Sequence, residues 1–373
     1  LYQAVFLCAY KRTALNENHE NFNLFMTLST IPAALPNPDA TPDSLHLRDI
    51  LRSLPREVFT KNRRKAWLTA LLNVLMVGLG YWGLAIAPWF LLPPLWIFIG
   101  TGLTGFFVIA HDCGHRSFAN RRWVNDWVGQ LFMLPLIYPF HSWRILHNYH
   151  HAHTNKLNED NAWEPFQPAF YNSLGSLGQW GYRLLRGRFW WVASIVHWGV
   201  MHFNWWQFKG KDRQKVKLSA LVVLVFASVA FPLLIATLGI WGFVKFWLLP
   251  WLVYHFWMST FTLVHHTAPE IPFTPADEWN EAQAQLFGTV HCDYPRWVEF
   301  LCHDINVHIP HHISTAIPSY NLRLAHRSIQ EKWGDSIREC RFSWSLMKQI
   351  TDECHLHNPE DSYYQSFKDY HAQ

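Results

Sequence analysis

Three groups of histidines carry the chemistry available to this sequence. The first is His111-Asp-Cys-Gly-His115, the second His147-Asn-Tyr-His150-His151, and the third His308-Ile-Pro-His311-His312. Residues three and four apart share one face of a helix. His111 and His115 therefore point the same way, as do His147, His150 and His151, so one short helix can offer several imidazoles to neighbouring metal ions. Pro310 puts a helix start or bend inside the third group, which proline tolerates in a first turn. The chain has 23 histidines, and at that frequency an HxxHH pattern arises by chance on the order of a tenth of a time per chain. Two copies beside an HxxxH are therefore a signal. His266 can add a ninth imidazole, or its neighbour His265 can, against an interfacial role for both.

Eight or nine neutral imidazoles exceed the needs of one metal. Zinc sites close at four ligands, whereas two five- or six-coordinate iron ions with open positions fit the count. Spacing alone leaves other transition metals open. Iron, being redox-active, would let such a site activate oxygen, which zinc cannot do. Asp112, His153, Asp160, His303 and Asn306, together with Asn155, Asn161 and Asp304, are candidates to hydrogen-bond the imidazoles and fix their tautomers. A plain surface role is the alternative for each. His19, His46, His197, His202, His355 and His357 lack such neighbours and read as surface or interfacial.

The elements that must position these groups are apolar helices. Ala66 to Ala110 carries no charge, and about 20 apolar residues span a bilayer. Pro88 and Pro93-Pro94 break the run into helices near 67–87 and 90–110. Leu218 to Leu238 is also charge-free, and Trp241 to Val264 holds only Lys245 and His255. These give helices near 218–238 and 241–263, joined through Gly239 as an antiparallel hairpin. The expected fold is an all-α integral membrane protein: four transmembrane helices in two hairpins, with a cytoplasmic cap carrying the histidine groups. Lys61 to Lys65 precede the first helix, Arg116, Arg121 and Arg122 follow the second, and five basic residues from Lys209 to Lys217 precede the third. The positive-inside rule then puts 111–217 and 265–373 in the cytoplasm. Residues 127–140 and 189–206 read as segments lying on the membrane.

The domain organisation is an N-terminal arm, 1–42, followed by one membrane domain, 43–373. Met26 is the first methionine and reads as the natural start, with 1–25 not native. A net charge of +4 gives no reason to expect nucleic acid as a partner. Six scattered cysteines with no CxxC pair form neither a zinc site nor a disulfide framework, which fits a reducing compartment. The 22 tryptophans fit a protein with much surface at a membrane interface.

The order HDCGH, HNYHH, HIPHH through two membrane hairpins resembles the membrane fatty-acid desaturases. The flanks HDCGHRSFANRRWVND, PLIYPFHSWRILHNYHHAHTNK and HDINVHIPHHISTAIPSYNLRLAH are similar to the cyanobacterial acyl-lipid Δ12 branch and its plastid relatives. The resemblance runs from roughly Leu45 to about His357 and holds at every position of the three groups. It implies insertion of a second cis double bond into oleoyl chains of membrane glycerolipid, with O2 as oxidant and reduced ferredoxin as electron donor, in a thylakoid or cytoplasmic membrane. No haem-binding or Fe–S motif is present in the sequence, so the donor is external. Arg121, Arg122, Lys209, Lys211 and Arg213 are candidates to dock it, and Trp143, Tyr149 and Trp163 to line an acyl tunnel. The rivals are another diiron membrane oxidase (a desaturase of other position, an acyl hydroxylase or a carotenoid oxygenase) and, from another class, a metal transporter. A transporter is disfavoured because its ligands belong near the bilayer midplane, where these helices hold almost nothing ionisable.

Overall fold

The computed structural model describes residues 45–372; the arm 1–42 and the reading of Met26 as a start lie outside the described residues. Helix α1 (Leu47–Ser53) precedes the long apolar helix α2 (Arg63–Ile86). Asn62 caps α2, its side chain accepting from the Lys65 amide at 3.0 Å. The cap satisfies an amide that the first turn leaves free, so the helix takes in Arg63, Arg64 and Lys65 and begins ahead of residue 67. It ends before Ala87, which is extended, as a residue preceding proline prefers to be. Helix α3 (Leu92–Gly114) follows with Pro93 in its first turn. The turn thus lies at Pro88, and the Pro93-Pro94 pair starts the second helix.

Beyond α3 come α4 (Arg122–Met133), α5 (Phe140–Ala152), α6 (Pro168–Ser173), α7 (Ser176–Arg186) and α8 (Ala193–Met201). On α4, Trp123, Trp127 and Leu131 form one exposed stripe. Next, α9 (Gly210–Phe243), a π-helical segment Val244–Leu248 and α10 (Leu249–His266) make one apolar run. That run is not straight. Gly239 has φ 70° and ψ 177°, a backbone region open essentially to glycine alone. The chain doubles back there: the Phe231 ring sits 4.4 Å from that of Trp247, whereas a straight helix would hold them roughly 24 Å apart.

Three segments are long and apolar enough to cross a membrane, Arg63–Ile86, Trp89–Gly114 and Gly210–His266, and the third is this hairpin. Leu68, Leu75, Leu79 and Ile86 on α2, and Leu218, Val225, Val229 and Leu233 on α9, are each more than half exposed. Apolar surface this extensive fits contact with lipid.

Helix α3 is the axis of the molecule, packing against α2, α4, α5 and α10. From Ile99 to Gly114 all but Phe106 is buried. Gly105 permits the tightest of these contacts: a Cβ there would lie 2.2 Å from the Leu301 carbonyl oxygen and 2.5 Å from Asn73 Oδ1.

The C-terminal part runs α11 (Glu281–Phe287), β1 (Val290–Asp293), α12 (Arg296–Leu301), α13 (His308–Ile313), α14 (Leu322–Trp333), β2 (Arg338–Arg341), α15 (Trp344–Glu353), β3 (Leu356–His357), β4 (Tyr364–Gln365) and α16 (Phe367–Ala372). Strands β1 and β2 pair in parallel, with Cys292 opposite Cys340, and β3 and β4 pair antiparallel. The fold is therefore mostly helical rather than all-α. Strands of two to four residues carry too little alternation to be read from sequence. A second correction concerns His202, His355 and His357, which are buried rather than superficial. Each has found a partner inside: His202 faces Ser142, His355 bonds the Thr351 carbonyl and the Phe367 amide, and His357 bonds the Phe273 carbonyl.

Gly239→Val places a β-branched side chain where φ is 70°. A strain of about 1–3 kcal/mol should lower the thermal midpoint of the detergent-solubilised protein by roughly 2–6 °C. Gly78→Ala, on α2 with open space around its Cβ position, should keep or slightly raise the midpoint. Equal midpoints for parent and Gly239→Val would count against the tight reversal.

Candidate metal centre

Each histidine group is aimed by a short stretch of helix. His111 lies in the last turn of α3, and His115 is the residue that ends it, with the two ring centroids 4.6 Å apart. On α5, His147 and His151 are one turn apart with Nε2 atoms 3.1 Å from each other. His150 on the same helix is rotated away, and its Nε2 lies 3.3 Å from that of His266 at the end of α10. Helix α13 consists almost wholly of the third group, with Pro310 in its first turn.

The rings sort into two adjoining sets. His111, His115, His147, His151 and His311 offer nitrogens all within 4.8 Å of one another, and His150, His266 and His312 form a second set by the same measure. His308 borders the second, its Nε2 2.8 Å from that of His266. The sets touch where His151 stacks on His312 with centroids 4.1 Å apart. His265 belongs to neither set and stacks on Phe261 instead.

These contacts are unusual for a protein interior. A neutral imidazole has one donor and one acceptor nitrogen, yet the His147 Nε2 faces both His111 and His151 at 3.0 and 3.1 Å. The Nε2 atoms of His311 and His312 are buried with no hydrogen-bond partner among the described residues. Burial pushes the pKa values of His115, His147, His151, His308, His311 and His312 well below the ordinary histidine value, with neighbouring imidazoles adding to the effect. Neutral rings with inward lone pairs and unmet acceptors suit a transition-metal cation, and the all-nitrogen donor set is compatible with iron.

Outside the rings, Asp160 Oδ1 meets His150 Nδ1 at 2.6 Å. Its carboxylate is held in turn by the backbone amides of Asn155 and Ala162. The His312 Nδ1 donates to Gln285 Oε1 at 2.8 Å and approaches the Thr154 hydroxyl at 3.2 Å. Such partners fix a ring's tautomer and turn its Nε2 inward. Gln285 also donates to the His151 carbonyl, which ties α11 to α5. Neither Gln285 nor Thr154 was among the candidates. Thr154 lies within one turn of His151, but nothing in its sequence neighbourhood marks Gln285.

The other candidates serve the surrounding chain. Asp112 accepts from the Ser319 amide at 3.0 Å, and its 3.8 Å approach to His111 is too long for a hydrogen bond. His153 faces Glu159 and the Tyr149 carbonyl. His303 bonds Asn73, and Asn306 donates to the Cys292 carbonyl and to Glu299. Trp143 stacks on His147 with centroids 4.7 Å apart, Tyr149 stacks on His153, and Trp163 donates to Thr262.

The depressed histidine pKa values set the direction of a pH effect. The unfolded chain takes up protons on these rings near pH 6.5, while the folded rings stay neutral to much lower pH. Stability is therefore complete above the unfolded value and falls as pH drops through it, because the unfolded state then binds more protons. The metal-free protein should melt at a lower temperature at about pH 5.5 than at about pH 7.5. A flat profile over that range would mean that the rings are solvated.

Comparison with known proteins adds an independent finding. Residues 87–344 match the family model described as fatty acid desaturase. The chain is 69% identical over 330 residues to an sn-1 oleoyl-lipid 12-desaturase of Anabaena variabilis, covering 88% of this chain and 94% of that protein. It is 58% identical over 340 residues to the protein of that name in Synechocystis sp., covering 90% and 97%. It is also 53% identical over 325 residues to a chloroplastic omega-6 fatty acid desaturase of Brassica napus, covering 86% and 72%.

Proposed function

The chain belongs to the fatty acid desaturase family, and from that premise we propose that it converts oleoyl chains of membrane glycerolipids to linoleoyl chains by placing a cis double bond at Δ12. The observation that carries the reading is the pair of adjoining all-histidine sets at one end of an apolar helical bundle. The position and the lipid-bound substrate rest on the relatives named as oleoyl-lipid 12-desaturases. The reaction consumes one O2, two electrons and two protons, and releases two waters with the product.

Two iron ions are the proposed cofactor. His111, His115, His147, His151 and His311 would hold one, and His150, His266, His308 and His312 the other. Bound there, iron supplies the oxidising power to remove two hydrogens from adjacent unactivated methylenes. The chain's own residues do the rest. Asp160 and Gln285 orient His150 and His312. Trp143, packed on His147 and Phe107, gives the acyl chain an apolar wall and keeps water from the rings.

The folded apolar run at Gly239 supports four crossings, two in each hairpin. The histidine sets then lie at the cytoplasmic ends of α3 and α10, in a thylakoid or cytoplasmic membrane. This gathering at one end, away from the midplane, favours an oxidase over a transporter. Reduced ferredoxin is the proposed external donor. Exposed Arg121, Arg122, Lys209 and Lys211, with Arg213 stacked over Trp206, offer a basic face to an acidic carrier.

In a host rich in oleate and equipped with a ferredoxin system, the parent chain should yield linoleate by gas chromatography, and His150→Ala should yield none at equal protein level. Hydroxylated acyl chains in place of linoleate would move the assignment to another diiron oxidase. Asp160→Asn keeps the shape but weakens the support of His150. It should lower iron affinity by roughly 10–100-fold, with product partly restored by iron supplementation. Wild-type iron retention in that variant would remove Asp160 from the account.

A further inference from the structure

Beside the exposed apolar stripe of α2, a cavity of about 560 Å³ separates α2 from α12 and α14. Its two ends differ in chemistry. Along α2, Thr69, Leu72 and Met76 line it, spaced three and four apart on one helix face. That wall runs about 10 Å up the membrane-crossing helix, starting just beyond its basic first turn. Away from α2 the lining includes Arg296, Arg323 and Arg327. Arg323 is committed, with Glu299 and Asp304 both at 2.8 Å. Arg296 and Arg327 have no acidic partner among the described residues. The lining therefore holds three guanidiniums against two carboxylates, and both carboxylates are spent on one arginine.

We propose that this cleft binds the anionic headgroup of a membrane glycerolipid, with Arg296 and Arg327 on the headgroup and the start of an acyl chain along Leu72 and Met76. A soluble anion would use only the arginine end. A lipid uses both ends and explains why a strip of cationic groups borders an apolar wall at the point where α2 leaves its basic N-terminal turn. Phe300, 61% exposed beside the arginines, suits the same boundary, where aromatic rings favour the level of the headgroups. The cleft is distinct from the histidine sets but not remote from them. Its lining residue Ser319 donates its amide to Asp112, the neighbour of His111, and His303 bonds Asn73, whose side chain donates to the Gly102 carbonyl on α3. Headgroup binding here is independent of which bond the enzyme forms.

The test is lipid retention by the full chain in detergent, read by native mass spectrometry. Phosphatidylglycerol and an uncharged galactolipid with the same acyl chains are the probes. The expected result is preferential retention of phosphatidylglycerol, with Arg296→Gln/Arg327→Gln lowering its affinity roughly tenfold to thirtyfold and leaving galactolipid binding unchanged. Arg296→Lys/Arg327→Lys should restore most of the loss. Met76→Trp, which fills the apolar end, should weaken phosphatidylglycerol as well. Both arginine variants leave Arg323 and its acids in place, and an unchanged thermal midpoint shows that they fold. Three results would each overturn the proposal: equal retention of the two lipids by the parent, parent-like retention of phosphatidylglycerol by the Gln variant, or full displacement of the lipid by millimolar inorganic phosphate, which would make this a site for a free anion.

Discussion

Imidazole acceptors facing one another inside a protein are unfavourable unless something positive sits between them. A buried acceptor without a donor costs about 1–3 kcal/mol, and here several do so within two touching sets. Protonation does not relieve the crowding, because burial and the neighbouring rings both oppose charge on His115, His147, His151 and His311. On the proposed reading the binding energy of two metal ions offsets that cost. The rest of the structure can then be seen as the scaffold that brings these rings together and holds them apart from water.

That scaffold is built around α3. It carries the first histidine pair at one end, and its small residues let α2, α10 and the end of α12 approach closely along its length. Asn73 shows how closely the apolar helices and the C-terminal part are joined. It is fully buried within an otherwise apolar helix, where an unpaired amide would be costly. It accepts from His303 and donates to the Gly102 carbonyl, linking α2, α3 and the segment leading to α13. Gln285 does the same around the histidine sets, joining α11 to both α5 and α13. Rings supplied by four separate elements thus share a rigid surround, and a preorganised metal site needs such support to fix ligand orientation.

Local patterns in the sequence already mark the parts of this design that depend on spacing. Histidines three and four apart, charge-free runs of bilayer length and a glycine between two such runs all have a direct physical meaning, and the helices fall where those patterns lie. The resemblance of the flanks to membrane desaturases pointed to the family that comparison then established. Contacts between distant residues were harder to read. Asp160 could be singled out because it follows the second histidine group closely, but Gln285 and Asn73 sit far along the chain from the rings they serve and look like ordinary polar residues. Asp112, His153, His303 and Asn306 looked equally suitable by proximity in sequence. The fold uses them to anchor loops, a choice that depends on where their side chains point. The same holds for His202, His355 and His357, whose burial follows from packing between separate elements.

The claim on which the account rests is that the two histidine sets hold two iron ions. The most direct measurement is the iron content of the purified full chain, combined with ⁵⁷Fe Mössbauer spectroscopy of the reconstituted protein. Two irons per chain in nitrogen-rich environments are predicted, with the stoichiometry falling when His266 is replaced by alanine. A stoichiometry of one that His266→Ala leaves unchanged, or no iron retained by the reconstituted protein, would contradict it.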